Sequence, residues 1–144
     1  MYQILLTPLV AGAIAQLSKL LIKSNKVKLD WRSISSYSGM PSSHAAITVS
    51  LTTTVSILEG FTSPLFAVCF IFTVLIIRDA LGIRRYVGQH GEILNDLVKD
   101  LRKDKVTLEE RYPRLIEKIG HTPAQIIVGA LIGALISLAG YFIL

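Results

Sequence analysis

The chain has 144 residues, of which 51% are hydrophobic and 17% charged, and its 15 Lys and Arg against 10 Asp and Glu give a formal net charge of +5. An ordinary soluble domain carries about a quarter charged residues, so this balance points to one domain that lives in a bilayer. The single cysteine, Cys69, excludes an intrachain disulfide, and without metal-ligand neighbours it reads as a packing residue.

The first apolar run, Tyr2 to Ile22, has the roughly 20 residues that a helix needs to cross hydrocarbon. It lacks a positive n-region and an A-x-A site, so it is expected to be a retained helix rather than a cleaved signal. A basic stretch with Lys23, Lys26, Lys28 and Arg32 follows, and Trp31 and Tyr37 within it are suited to anchoring at the interface.

The next segment opens with S-G-M-P-S-S-H-A-A, Ser38 to Ala46, and continues as the run Ala45 to Leu58. Thr48, Ser50, Thr52, Thr53, Thr54 and Ser56 thin its hydropathy, as expected of a helix inside the bundle whose hydroxyls bond their own backbone or other helices. A third run spans Pro64 to Ile77, extendable to Ile83, with Arg78 and Asp79 near its end. Charges there pair or face the bundle interior, and Asp79 can orient Arg84 or a histidine.

Between the third and last runs lies the one sizeable polar region, Tyr86 to Ile119. Ile93, Leu94, Leu97, Val98 and Leu101 recur in it at helical spacing, which predicts an amphipathic helix lying on the inner leaflet, capping the bundle or serving as a solvated linker. A second short helix is expected from Thr107 to Lys118, broken at Pro113. The last run, Pro123 to Leu144, contains Gly129-x3-Gly133, which like Ala11-x3-Ala15 forms a small-residue stripe for helix contacts within the bundle or in a homodimer.

The expected fold is therefore all-α: an integral membrane four-helix bundle with spans at about 2–22, 42–59, 64–83 and 122–143 and an amphipathic insert at about 86–119. Lys and Arg concentrate in the first and third connections, so the positive-inside rule places both in the cytoplasm and both chain ends outside. Topology and anionic lipid then account for the net charge, and no nucleic acid is needed as a partner.

An up-and-down bundle brings four helix ends to that cytoplasmic face. They carry Lys19 to Lys26, Ser42-Ser43-His44, Arg84-Arg85 and His121. Helix N-termini present unpaired amides and a partial positive charge to an anion, and the serines cap the helix or donate to phosphate oxygens. Cations stabilise a transferring phosphoryl group, and two imidazoles can divide attack and proton donation between them.

Three strings in order, G-M-P-S-S-H-A-A, D-A-L-G-I-R-R (Asp79 to Arg85) and I-G-H-T-P-A-Q-I-I-V-G-A-L-I-G (Ile119 to Gly133), resemble the short divergent branch of the type 2 phosphatidic acid phosphatase superfamily, related to acid phosphatases and vanadium-dependent haloperoxidases. The superfamily uses the motifs K-x6-R-P, P-S-G-H and S-R-x5-H-x3-D. By that resemblance Pro41-Ser42-Ser43-His44 is the second motif with serine for glycine, and His44 the proton donor. Lys19-x6-Lys26 corresponds to the first motif, with lysine for arginine and Val27 for proline. G-H-T-P-A-Q corresponds to the third, which makes His121 the nucleophile and puts Gln125 at the aspartate position. Arg84 and Arg85 are favoured as the phosphate ligands. Arg114, seven residues before His121, is a second candidate, and Arg84-x5-His90 is an alternative placement of the motif itself.

What the resemblance implies is metal-free hydrolysis of a phosphate monoester, with no cofactor, on a membrane lipid such as phosphatidylglycerophosphate, phosphatidate or an isoprenyl phosphate. Gln125 shares a helix face with His121 at i and i+4 and can accept a hydrogen bond from it, but cannot supply the charge that steadies an imidazolium. That departure keeps two rivals in view: a non-catalytic binder of anionic headgroups or of a partner protein, and a transporter or channel subunit.

Overall fold

The computed structural model describes residues 2–22, 39–101, 115, 117 and 119–143. Lys26, Trp31, Tyr37, Arg114 and the start of the expected 107–118 helix lie outside them; Leu115 and Glu117, inside it, are not helical. The described residues form five helical segments and no strand: α1 (Tyr2–Leu21), α2 (Ser43–Glu59), α3 (Pro64–Leu81), α4 (Ile83–Leu101) and α5 (Pro123–Ile143). This is the all-helical fold that the apolar runs predict, with α1, the helix beginning at Pro64, and α5 each long and apolar enough to cross a membrane.

The remaining expected span is α2, whose 17 residues reach ~26 Å, at the short end of crossing length. It is not a lipid-facing helix. α2 contacts α1, α3 and α5, and only Ile47, Leu58 and Glu59 along it are exposed. Its hydroxyls serve this central position. Ser50 and Ser137 share a hydrogen bond of 2.8 Å, Thr54 donates to Thr7 at 3.2 Å and to Ser137 at 3.1 Å, and Thr52 meets Thr73 at 2.8 Å. Thr48 and Thr52 also bond back to the carbonyls four residues before them. In a bilayer these pairings satisfy groups that lipid cannot, at ~0.6 to 2 kcal/mol each.

Close approach of backbones, rather than bulky interdigitation, builds the core. α1 buries Thr7, Ala11, Ala15 and Lys19, spaced four apart on one face. α5 buries Ile126, Gly129, Gly133 and Ser137, at intervals of three, four and four, also on one face. A Cβ on Gly129 would stand 2.2 Å from the Ser42 carbonyl oxygen, and one on Gly133 would stand 2.3 Å from that of Ala46. Both small-residue stripes are thus spent inside the bundle, and the homodimer face weighed for them is occupied.

α3 packs on α2 from outside, burying only Cys69, Thr73 and Ala80. Arg78 is exposed, and Asp79 pairs with Arg84, one of the partners the sequence offered it, and not with its neighbour Arg78. α4 follows after Gly82 alone, so the amphipathic helix begins at Ile83, earlier than its apolar spacing implied. Among the described residues it contacts α3. Asn95 of α4 ties down the returning chain, donating to the Leu115 carbonyl and the Glu117 carboxylate at 2.9 Å and accepting from the Leu115 amide at 3.0 Å. Gly88 allows that return, since a Cβ there would stand 2.5 Å from the Glu117 carbonyl oxygen.

Gly129→Ala is expected to lower stability by ~1–3 kcal/mol or more, because the backbone it would strike cannot move aside as a side chain can. Leu131→Ala, on the exposed face of α5, should change little. Thermal unfolding of the two variants in one detergent checks the contrast.

Candidate functional site

At one end of the bundle the N-termini of α2 and α5 lie side by side. Ser42 caps α2, its Oγ accepting from the Ala45 amide at 3.3 Å, so Pro41 stands one position outside the helix rather than in its first turn. α5 begins with a capping box: Thr122 Oγ1 accepts from the Gln125 amide at 3.3 Å, and Gln125 Oε1 accepts from the Thr122 amide at 2.9 Å, with Pro123 between them at the first helical position. The Ser42 amide donates to the Gln125 carbonyl at 2.9 Å and fastens one terminus to the other.

His121 stands before α5, not on it. The expected helical i,i+4 relation to Gln125 is therefore not formed, and the amide oxygen meant for the imidazole is bonded to Thr122 instead. His121 is placed by backbone: its amide donates to the Ala80 carbonyl at 3.1 Å, at the end of α3. Gly120 permits this with φ of +94°, and a Cβ there would also lie 2.8 Å from the Arg85 amide nitrogen. Neither support was predicted; the glycine before the histidine was the available signal.

The His121 side chain is 4% exposed. Its ring faces that of His44, with centroids 5.9 Å apart and planes at 74°, and neither ring nitrogen has a hydrogen-bond partner among the described residues. Burial, then the charges of Lys19, His44 and Arg84, hold the His121 imidazole down to about 4. Lys19 is itself buried. Arg84 gives its Nε to Asp79 Oδ2 at 2.5 Å, and among the described residues its terminal amino groups have no hydrogen-bond partner.

The fold brings Lys19, Ser42, Ser43, His44, Asp79, Arg84, His121 and Gln125 to this one end. Arg85 has an exposed side chain and contributes its backbone against Gly120, and Lys26 is outside the described residues. His90 is exposed on α4. Among the described residues no group of three or more His, Cys, Asp and Glu is placed to hold a metal ion. What the arrangement offers is two imidazoles, a lysine, a guanidinium and two helix N-termini, a set suited to a multiply charged oxyanion.

The profile of the Divergent PAP2 family matches residues 1–136. The chain is also similar to the uncharacterized membrane protein YuiD of Bacillus subtilis (strain 168), at 39% identity over 124 residues, covering 80% of this chain and 78% of that one. No solved structure matches.

The depressed His121 value has a sign. The unfolded chain takes up its proton near pH 6.5 and the folded chain only near 4, so His121 contributes stability above 6.5 that is lost as pH falls through this window. Thermal unfolding in detergent should show a decline from pH 6.5 to 4 that is shallower in His121→Gln.

Proposed function

This chain belongs to the divergent PAP2 family, and we propose that it is a membrane phosphatase hydrolysing a lipid phosphate monoester through a histidine nucleophile. The observation that carries the reading is the buried His121 ring, with no hydrogen-bond partner for either nitrogen, facing His44 across 5.9 Å. That spacing lets a single phosphoryl group touch both rings.

In the proposed reaction the substrate phosphate settles against the N-terminal turns of α2 and α5, held by Lys19, Arg84 and the Ser43 hydroxyl. Neutral His121 attacks phosphorus as the ester P–O bond breaks, and His44 gives its proton to the departing alkoxide. Water, deprotonated by His44, then opens the phosphohistidine and releases inorganic phosphate. Asp79 holds the Arg84 guanidinium in place through their ion pair. Ser42 and Gln125 act as caps that hold the two termini in place. Lipid is the favoured class because the site lies at the ends of membrane helices, where a headgroup phosphate resides. The positive-inside reading puts this face on the cytoplasmic side of the plasma membrane.

One observation favours a second reading, a headgroup binder without turnover. Gln125 is spent in the capping box, and no carboxylate bonds His121 among the described residues.

Phosphate release by purified protein should separate them, using phosphatidate, phosphatidylglycerophosphate and isoprenyl phosphates with and without chelator. His44→Ala and His121→Ala should each lower turnover by ~10²–10⁴, Asp79→Asn should reduce it less, and chelator should have no effect. Wild-type protein that binds these lipids and turns over none of them is the binder. Abolition by chelator would refute the imidazole-only chemistry.

A further inference from the structure

Gly88, Gly91 and Asn95 lie on one flank of α4 at intervals of three and four, and all three are buried. The returning chain rests on that flank at two of them. Asn95, 8% exposed, turns both sides of its amide to one residue: Nδ2 donates to the Leu115 carbonyl, Oδ1 accepts from the Leu115 amide, and the second Nδ2 hydrogen goes to Glu117 Oε1. Two turns back along α4, a Cβ on Gly88 would stand 2.5 Å from the Glu117 carbonyl oxygen and 3.2 Å from the Ile119 nitrogen. Gly120 then lies against the backbone of Arg84 and Arg85, and the His121 amide reaches the Ala80 carbonyl.

The chain therefore runs back along the helix and delivers His121 at its end. From Asn95 to Arg85 the helix rises ~15 Å, while the step from Leu115 to Gly120 spans at most ~18 Å when fully extended. Little slack is left, so the place of Leu115 constrains the place of His121. No hydrogen bond among the described residues orients the His121 ring, and its backbone carries that task.

We propose that α4 is a splint for the candidate site and that Asn95 is a positioning residue, holding His121 toward His44 from about three helical turns away through the extended chain. For its catalytic consequence the proposal rests on the reading of His121 as the nucleophile; for the placement of His121 it rests on these contacts alone. The residue type suits the task. An asparagine amide carries donor and acceptor in one plane and so satisfies both polar groups of Leu115, as a neighbouring strand would. Aspartate at 95 would turn oxygen toward the Leu115 carbonyl and the Glu117 carboxylate, and alanine would release all three bonds. Gly88 is the second fixed point, because any side chain there would lift the returning backbone off the helix.

Diethyl pyrocarbonate acylates neutral imidazole, and burial first of all holds His121 neutral at pH 7, with its pKa down to about 4, so access sets its rate. In the purified full chain, labelling read by peptide mass spectrometry should be slowest at His121. It should rise there ~10-fold in Asn95→Ala and in Gly88→Ala, with the exposed His90 as an unchanged reference. Asn95→Asp should do the same, and adding Glu117→Gln, which returns a donor to face the new carboxylate, should restore part of the protection. General loss of stability gives no such reversal. With the best substrate among phosphatidate, phosphatidylglycerophosphate and isoprenyl phosphates, Asn95→Ala should lower kcat ~10- to 100-fold and leave KM close to wild type, since Lys19, Arg84 and Ser43 keep their places. Wild-type labelling of His121 in both Asn95→Ala and Gly88→Ala would overturn the proposal, as would an equal rise at all three histidines with a fall in melting temperature. Release of His121 in a protein that turns over none of these lipids would uphold the splint and retire the phosphatase reading.

Discussion

Two glycines on α5 let its backbone rest against the backbone of α2, with Gly129 against Ser42 and Gly133 against Ala46. That contact sets where both helices begin. Once it is made, the Ser42 amide reaches the Gln125 carbonyl and two positively polarised termini stand adjacent. The histidines inherit their places from it, His44 because it is the second residue of α2 and His121 because it precedes the cap of α5. A side chain wide enough to part the helices would separate both termini and both imidazoles together.

The electrostatics of this end favour an anion. Arg84 and two partial helix charges converge near the His121 ring, which burial and nearby positive charge keep from charging, while Asp79 pairs with Arg84. In the proposed chemistry these groups stabilise negative charge as it moves onto the leaving oxygen.

Much of this was legible in the residues because membrane helices announce themselves by length and hydropathy. Ser42-Ser43-His44 and His121 also sit where a four-helix topology must bring them together. What was not legible has physical reasons. Gln125 at i+4 from His121 suggests a shared helix face only if the helix has already begun. Thr122, Pro123 and Gln125 form a start signal that places the histidine outside. Asp79 stands beside Arg78, but adjacent residues on a helix diverge by about 100°, and of the partners the sequence offered the carboxylate meets Arg84. The amphipathic pattern of α4 located a helix correctly but not its neighbours, because periodicity reports an apolar face and says nothing of what will cover it.

The interior also dictates how such a protein tolerates change. Among the described residues its largest fully buried side chains are Val55, Pro41, Ser42, Ser50 and Ser137, and apart from Pro8, Lys19, Cys69, Asn95, His121 and Ile126 the other buried positions are alanine, glycine and hydroxyl. There is almost nothing in it to truncate, so the cavity-forming substitutions that most often cripple proteins have few places to act. Its sequence space is bounded from the other side: inherited variation is filtered by bulk gained, and the central positions are open to drift among the smallest residues and closed to nearly everything larger.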